Sequence, residues 1–187
     1  SSDGTTWTSR TSGTSKDLYG ITYGNSIFVA VGKRKPTVPS IGIILTSSKG
    51  TTWTSRTSGT QFYLDGVTYA KSIFVTVGNF GTILTSSDGT TWTSRNSGTS
   101  NSLEYVIYGN SKFITVGANG TILTSSDGVT WTSRNSGTSN RPIGITYGNS
   151  KFVVVGTSGT ILTSSDGSTW SSKTSGTSNI LWGVTYG

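Results

Sequence analysis

Apolar residues in this chain fall in short runs separated by Gly, Asn, Ser and Asp, a spacing that predicts strands and tight turns. Between residues 145 and 172 the runs are Ile145 to Tyr147, Lys151 to Val155, Thr160 to Thr163 and Thr169 to Ser172. Each is of strand length. Gly148-Asn149-Ser150 and Ser165-Asp166-Gly167 punctuate them, and Gly and Asn accept positive φ, so neighbouring runs are predicted to form antiparallel hairpins. The run Phe152-Val153-Val154-Val155 is apolar without alternation. A strand of that kind needs cover on both faces, which stacked sheets supply.

The same pattern returns along the whole chain. Aligned on Trp7, Trp53, Trp92, Trp131 and Trp170, the copies are spaced by 46, 39, 39 and 39 residues. A period near 40 with four short strands per copy is the requirement of a β-propeller blade. The fold class predicted is therefore all-β, a propeller of four-stranded antiparallel blades, about five in number with four complete. The repeats divide a single propeller domain, 1–187, into 1–46, 47–85, 86–124, 125–163 and a partial 164–187. Lettering the strands A to D from the axis outward puts the A-to-B and C-to-D turns on one face of the disc. The B-to-C loops and D-to-A crossovers occupy the other, and there the copies differ most, including an insertion from Lys33 to Gly42.

The turn Ser-Ser-Asp-Gly-x-Thr-Trp resembles the Asp-box of the sialidase-like (BNR) repeat propellers. It recurs at Asp3 to Trp7, Asp88 to Trp92, Asp127 to Trp131 and Asp166 to Trp170. Two departures stand out: Gly directly follows Asp, shortening the turn by one residue, and the second copy has Lys49 where Asp belongs. The resemblance implies the propeller fold and says little of activity, since Asp-boxes also occur in photosystem assembly factors, sorting receptors and bacterial surface proteins. Chemically the motif reads as structural. A carboxylate can accept hydrogen bonds from backbone N–H groups two or three residues on, while Trp packs against the adjacent blade. Tyr23, Tyr69, Tyr108, Tyr147 and Tyr186 read likewise as inner-strand packing.

Composition narrows the chemistry. The chain has neither Cys nor His, which removes thiolate metal sites, disulfides and the commonest general base; no metal or cofactor is implied. Charged residues make up only 11%, with Ser, Thr, Gly and Asn in their place, a make-up common on secreted and cell-surface β-proteins. The net charge of +7 comes largely from two repeat positions, Arg10, Arg56, Arg95, Arg134 and Lys173 at one and Lys71, Lys112 and Lys151 at the other. Spread around a ring, it predicts no nucleic-acid surface; the one cluster, Lys33-Arg34-Lys35, reads as a solvated loop. No P-loop or dinucleotide fingerprint, amphipathic helix or membrane-length apolar run is present.

Function is sought where the repeat breaks, in the D-to-A crossovers. Tyr19, Tyr63, Asp65, Glu104, Tyr105, Arg141 and Trp182 are the candidate ligand-binding residues. Aromatic rings beside amide and charged groups suit sugars, whose C–H faces stack on rings while hydroxyls bond to polar side chains. The leading expectation is a non-catalytic module that recognises a glycan or a protein surface. One alternative is a glycoside hydrolase of arabinanase-like type using the carboxylates Asp17, Asp65 and Glu104. A sialidase site is disfavoured, because its arginine cluster has only Arg141 well placed to serve it. A second alternative is a structural or assembly propeller in which Leu18, Leu64, Leu103 and Leu181 merely anchor the crossovers.

Against five full repeats the chain lacks strands B and C of the blade in which its ends would meet. A fragment of a larger propeller is expected, or a chain whose missing strands were lost or not identified, or self-association through the open blade edges in which another copy fills the gap.

Overall fold

The computed structural model describes residues 3–33 and 41–187 and consists, among them, almost wholly of strands. Blade I contains β1 (Asp17–Gly24), β2 (Ile27–Lys33), β3 (Gly42–Ser47) and β4 (Thr54–Arg56). Blade II contains β5 (Leu64–Ala70), β6 (Ile73–Gly78), β7 (Ile83–Ser86) and β8 (Thr93–Arg95). Blade III contains β9 (Leu103–Gly109), β10 (Lys112–Gly117), β11 (Thr121–Ser125) and β12 (Thr132–Arg134). Blade IV contains β13 (Pro142–Gly148), β14 (Lys151–Gly156), β15 (Ile161–Ser164) and β16 (Ser171–Lys173). Each blade is an antiparallel meander in sequence order, the propeller-blade topology that the repeat predicts.

The second strand of every blade is buried on both faces, as its unbroken apolar run requires. Val29, Val31 and Ile44 of blade I pack against Leu64, Val67, Phe74 and Leu84 of blade II. The same contact joins blades II and III around Phe113, and blades III and IV around Phe152. The core is thus a set of inter-blade layers. Fully burying one of these side chains is worth roughly 1.5–3 kcal/mol.

Strand boundaries differ from the sequence reading in a consistent direction. The innermost strand of blade IV starts at Pro142 rather than Ile145, while the outermost is only Ser171–Lys173. The inner strands are sandwiched between neighbours and extend into the crossovers; the outer strands have a partner on one edge alone.

The geometry of the Ser-Ser-Asp-Gly turns follows the structural reading. Asp127 accepts from the backbone N–H of Val129 at 2.8 Å, that of Thr130 at 2.9 Å, and the Ser125 hydroxyl. These donors favour the charged form and hold the carboxyls of Asp127 and Asp166 down at about 2. The shortened turn also has a packing reason. Gly89 sits at φ 72°, and a Cβ there would come 2.6 Å from Ile27 of the preceding blade. Trp92, Trp131 and Trp170 pack on the core as expected. Trp7 does not: it is 78% exposed, although its indole N–H keeps its bond to Gly4. Tyr23, Tyr69, Tyr108 and Tyr147 pack on Phe28, Phe74, Phe113 and Phe152 through tilted ring contacts, although Tyr23, like Tyr186, is largely exposed.

The hairpin tips lock adjacent blades on one face. Asn25 donates to Ser87, Lys71 to Ser126 and Asn110 to Ser165, in each case from a B-side turn to the C-to-D turn of the next blade. On the opposite face the B-to-C turns bond to the crossovers, as when the Asn79 N–H donates to the Tyr63 carbonyl. Loop sorting by topology therefore holds, and the variable segments share one face.

Candidate functional site

Every innermost strand carries a β-bulge at the same repeat position. In β1, β5, β9 and β13 the register skips one residue, and the skipped residues are Tyr19, Asp65, Glu104 and Ile143. The cause lies on the neighbouring strand. A Cβ at Gly78 would stand 1.9 Å from the Tyr63 carbonyl oxygen, and Gly32, Gly117 and Gly156 meet their crossovers equally closely. Glycine lets the two backbones approach at the strand end, and the extra residue is turned out of the ladder.

These four bulge residues line one cavity of about 510 Å³, together with Lys33, Tyr63, Asn79, Ser102, Tyr105 and Arg141. Six of the seven candidate ligand-binding residues meet here: Tyr19, Tyr63, Asp65, Glu104, Tyr105 and Arg141. Trp182 stands at the corresponding position of the next repeat but outside the cavity, largely exposed. Asp17, the third carboxylate of the hydrolase alternative, is also outside it, and accepts a hydrogen bond from the Tyr19 hydroxyl at 3.1 Å.

Four lining residues were not among the candidates: Lys33, Asn79, Ser102 and Ile143. Asn79 closes the B-to-C turn of blade II and accepts from the Ser102 hydroxyl and from the Phe80 N–H. Ile143 is the apolar member of the bulge set. Lys33 corrects the reading of its cluster as a solvated loop. Its Nζ lies 5.0 Å from the Tyr19 ring centroid and 5.2 Å from that of Tyr63, a double cation–π contact. Arg34 and Lys35 lie outside the described residues. The signal for Lys33 was positional: it directly follows the bulge-forming Gly32.

Charges within the cavity are largely matched. Arg141 donates to Glu104 Oε1 at 2.7 Å, from a half-exposed guanidinium to a mostly buried carboxylate. Lys33 lies over two tyrosine rings, and hydrogen bonding with Tyr19 raises its pKa. Asp65 differs. Among the described residues no hydrogen-bond donor reaches it, and burial, with the nearby Glu104 charge, pushes its carboxyl up to about 6. Lys33 and Arg141 act in the opposite direction. No group of three potential metal ligands occurs among the described residues.

Neither a protein-family model nor a curated protein matches the sequence. Solved structures are similar in fold. YCF48 bound to D1 peptide gives a TM-score of 0.67 at 19% identity, over 91% of this chain and 57% of that one. YCF48 from Cyanidioschyzon merolae gives 0.63 at 17% identity, over 85% of this chain and 56% of that one. Zg3597, a family 117 glycoside hydrolase produced by the marine bacterium Zobellia galactanivorans, gives 0.55 at 9% identity, over 86% of this chain and 69% of that one. The chain spans under three-fifths of the length of both YCF48 chains. All three likenesses concern the fold.

Proposed function

We propose that the chain is a non-catalytic binding module that holds a neutral carbohydrate in the bulge-lined cavity. The observation that carries this reading is the way the cavity satisfies its own charges. Arg141 pairs with Glu104, and the Lys33 ammonium over two tyrosine rings is matched in sign by the Asp65 carboxyl, so the walls present ring faces and an undonated acceptor with no excess of either charge. An ionic ligand gains little there. A saccharide supplies hydroxyl donors for Asp65 and a C–H face for Tyr105, which is half exposed. An extracellular setting belongs to the same reading and agrees with the Ser-, Thr- and Asn-rich composition.

A panel of neutral tetrasaccharides titrated into the chain, followed through Tyr63 and Tyr105 ring signals, tests the proposal. Binding that is lost in Tyr105→Ala and Asp65→Ala supports it. If no saccharide perturbs the tyrosines, the reading is wrong; a response to peptides alone would turn it toward a protein surface.

Hydrolysis is the second reading, favoured by one feature. Asp65 is held towards its protonated form and Glu104 is paired with a guanidinium, the division of labour that two-carboxylate chemistry uses. The arabinanase-like set with Asp17 is not what the cavity gathers. Reducing-end release from the same panel separates the readings: a binding module gives none, and a hydrolase gives release that Asp65→Asn abolishes.

A further inference from the structure

Outside the bulge cavity, three equivalent grooves run between consecutive crossovers on the same face. Each is floored by the end of an outer strand and walled by a B-to-C turn, with volumes of about 300, 320 and 490 Å³ in blades II, III and IV. Their framework is hydroxyls, glycines and one basic residue. The grooves of blades II and III differ at two positions, one in the crossover and one in the B-to-C turn, while blade IV also carries Lys173 and Thr174 in place of Arg and Asn.

In blade III these positions are Asn101 and Asn119, and the Asn119 amide donates to Asn101 at 3.0 Å. In blade IV they are Asn140 and Ser158. Blade II has Phe62 and Phe80 instead, with ring centroids 4.8 Å apart and planes inclined by 38°. Both rings are exposed, Phe80 by 60%. Phe80 also holds φ 52°, the left-handed conformation that Asn119 occupies at 55° and for which Asn is suited. A bulky aromatic residue is disfavoured there. Two polar residues that would fit the backbone are therefore replaced by two rings that neither enter the core nor relieve the turn.

We propose that the Phe62–Phe80 groove is a sugar-binding subsite that takes the C–H face of a pyranose ring, separate from the bulge cavity and independent of what that cavity holds. The rings make an apolar wall beside Leu84, and most of the remaining lining is polar, including Thr60, Thr82, Asn96 and Ser97. An apolar peptide side chain would cover the rings while stripping water from those polar groups without replacing it. A sugar ring matches both halves, stacking through its C–H bonds and bonding at its rim. No carboxylate lines the groove, so neutral and acidic sugars both fit.

The test uses the whole chain labelled at its phenylalanine rings and titrated with cello-, xylo-, chito- and galacturono-tetrasaccharides. Single Phe62→Asn and Phe80→Asn variants assign the two signals. The expected result is that at least one saccharide moves both rings. The double variant F62N/F80N copies the blade III pair and removes the disfavoured backbone, so it should fold as the parent does; near-ultraviolet circular dichroism of the tryptophans checks this. Its affinity for that saccharide should fall roughly tenfold or more. Tyr63 and Tyr105 report the bulge cavity in the same spectra, so failure of either site is seen separately. The proposal is overturned if no saccharide moves Phe62 and Phe80 at millimolar concentration, or if F62N/F80N binds as tightly as the parent. Ring shifts with acetyl-Leu-Leu-amide and with no saccharide would overturn it in favour of a protein partner.

Discussion

Arg141 and Glu104 meet at 2.7 Å across the seam between blades III and IV, one from a crossover and the other from a bulge. The pair does more for the cavity's electrostatics than for stability, because the guanidinium is half exposed and such bridges contribute about 0–1 kcal/mol. Its removal leaves Glu104 charged beside Asp65. Arg141→Ala should therefore raise the Asp65 titration midpoint further above about 6, while moving the urea midpoint of the chain little. Carboxyl carbon shifts recorded against pH measure this. An unchanged Asp65 midpoint would show that the Arg141 charge does not act on Asp65.

Asp65 itself gives stability a pH dependence whose sign is fixed. The unfolded carboxyl titrates near 3.8 and the folded one at about 6, so the native state holds this proton longer. Its contribution is fully present below 3.8 and is lost as pH rises through about 6. Water at the partly open cavity reduces the effect to about 1 kcal/mol. Asp65→Asn removes the penalty. The variant should match the parent below 3.8 and melt roughly 2–4 °C higher at neutral pH, with saccharide affinity lowered. A constant difference across that range would contradict this account.

How far the site was legible follows from the repeat. Crossover positions that broke a strict pattern marked Tyr19, Asp65, Glu104 and Arg141; identical bulges turn the first three inward, and Arg141, two residues before the blade IV bulge, joins them by its bond to Glu104. The bulge was not legible. It depends on how closely Gly78 and its equivalents approach a crossover carbonyl, a distance no periodicity carries. Trp182 shows the complementary failure: it shares the repeat position but not the cavity. Lys33 was misread because a run of three basic residues invites a loop reading, whereas its first member ends β2 and lies over two rings.

Thr115 offers a test of core polarity. It is fully buried in β10, and its hydroxyl has no partner among the described residues. At the same position Thr76 donates to the Gly66 carbonyl at 2.8 Å, and blade IV carries Val154. Thr115→Val copies a residue that this fold already accommodates and removes an unpaired buried hydroxyl. Stability should rise by about 1 kcal/mol, read as a higher urea midpoint at unchanged slope. Loss of stability would mean that the hydroxyl has a partner after all.

Lys49 stands where the four other turns of this type have Asp3, Asp88, Asp127 and Asp166. Its turn keeps one part of the motif, since the Ser47 hydroxyl accepts from the Gly50 N–H at 2.8 Å, as Ser86 does from Gly89. What it lacks is a carboxylate like that of Asp166, which accepts from Ser168 at 2.7 Å and Thr169 at 2.9 Å. Lys49→Asp should supply these acceptors to Thr51 and Thr52 and stabilise the chain by about 1 kcal/mol, as a capping residue does. The gain has its own pH signature. A carboxylate held at about 2, as in Asp127 and Asp166, contributes fully above the unfolded value of 3.8 and loses its contribution as pH falls through about 2. Melting curves of Lys49→Asp and the parent should therefore separate at neutral pH and converge under strong acid. A separation that persists below pH 2 would assign the gain to the lost lysine charge and not to the turn.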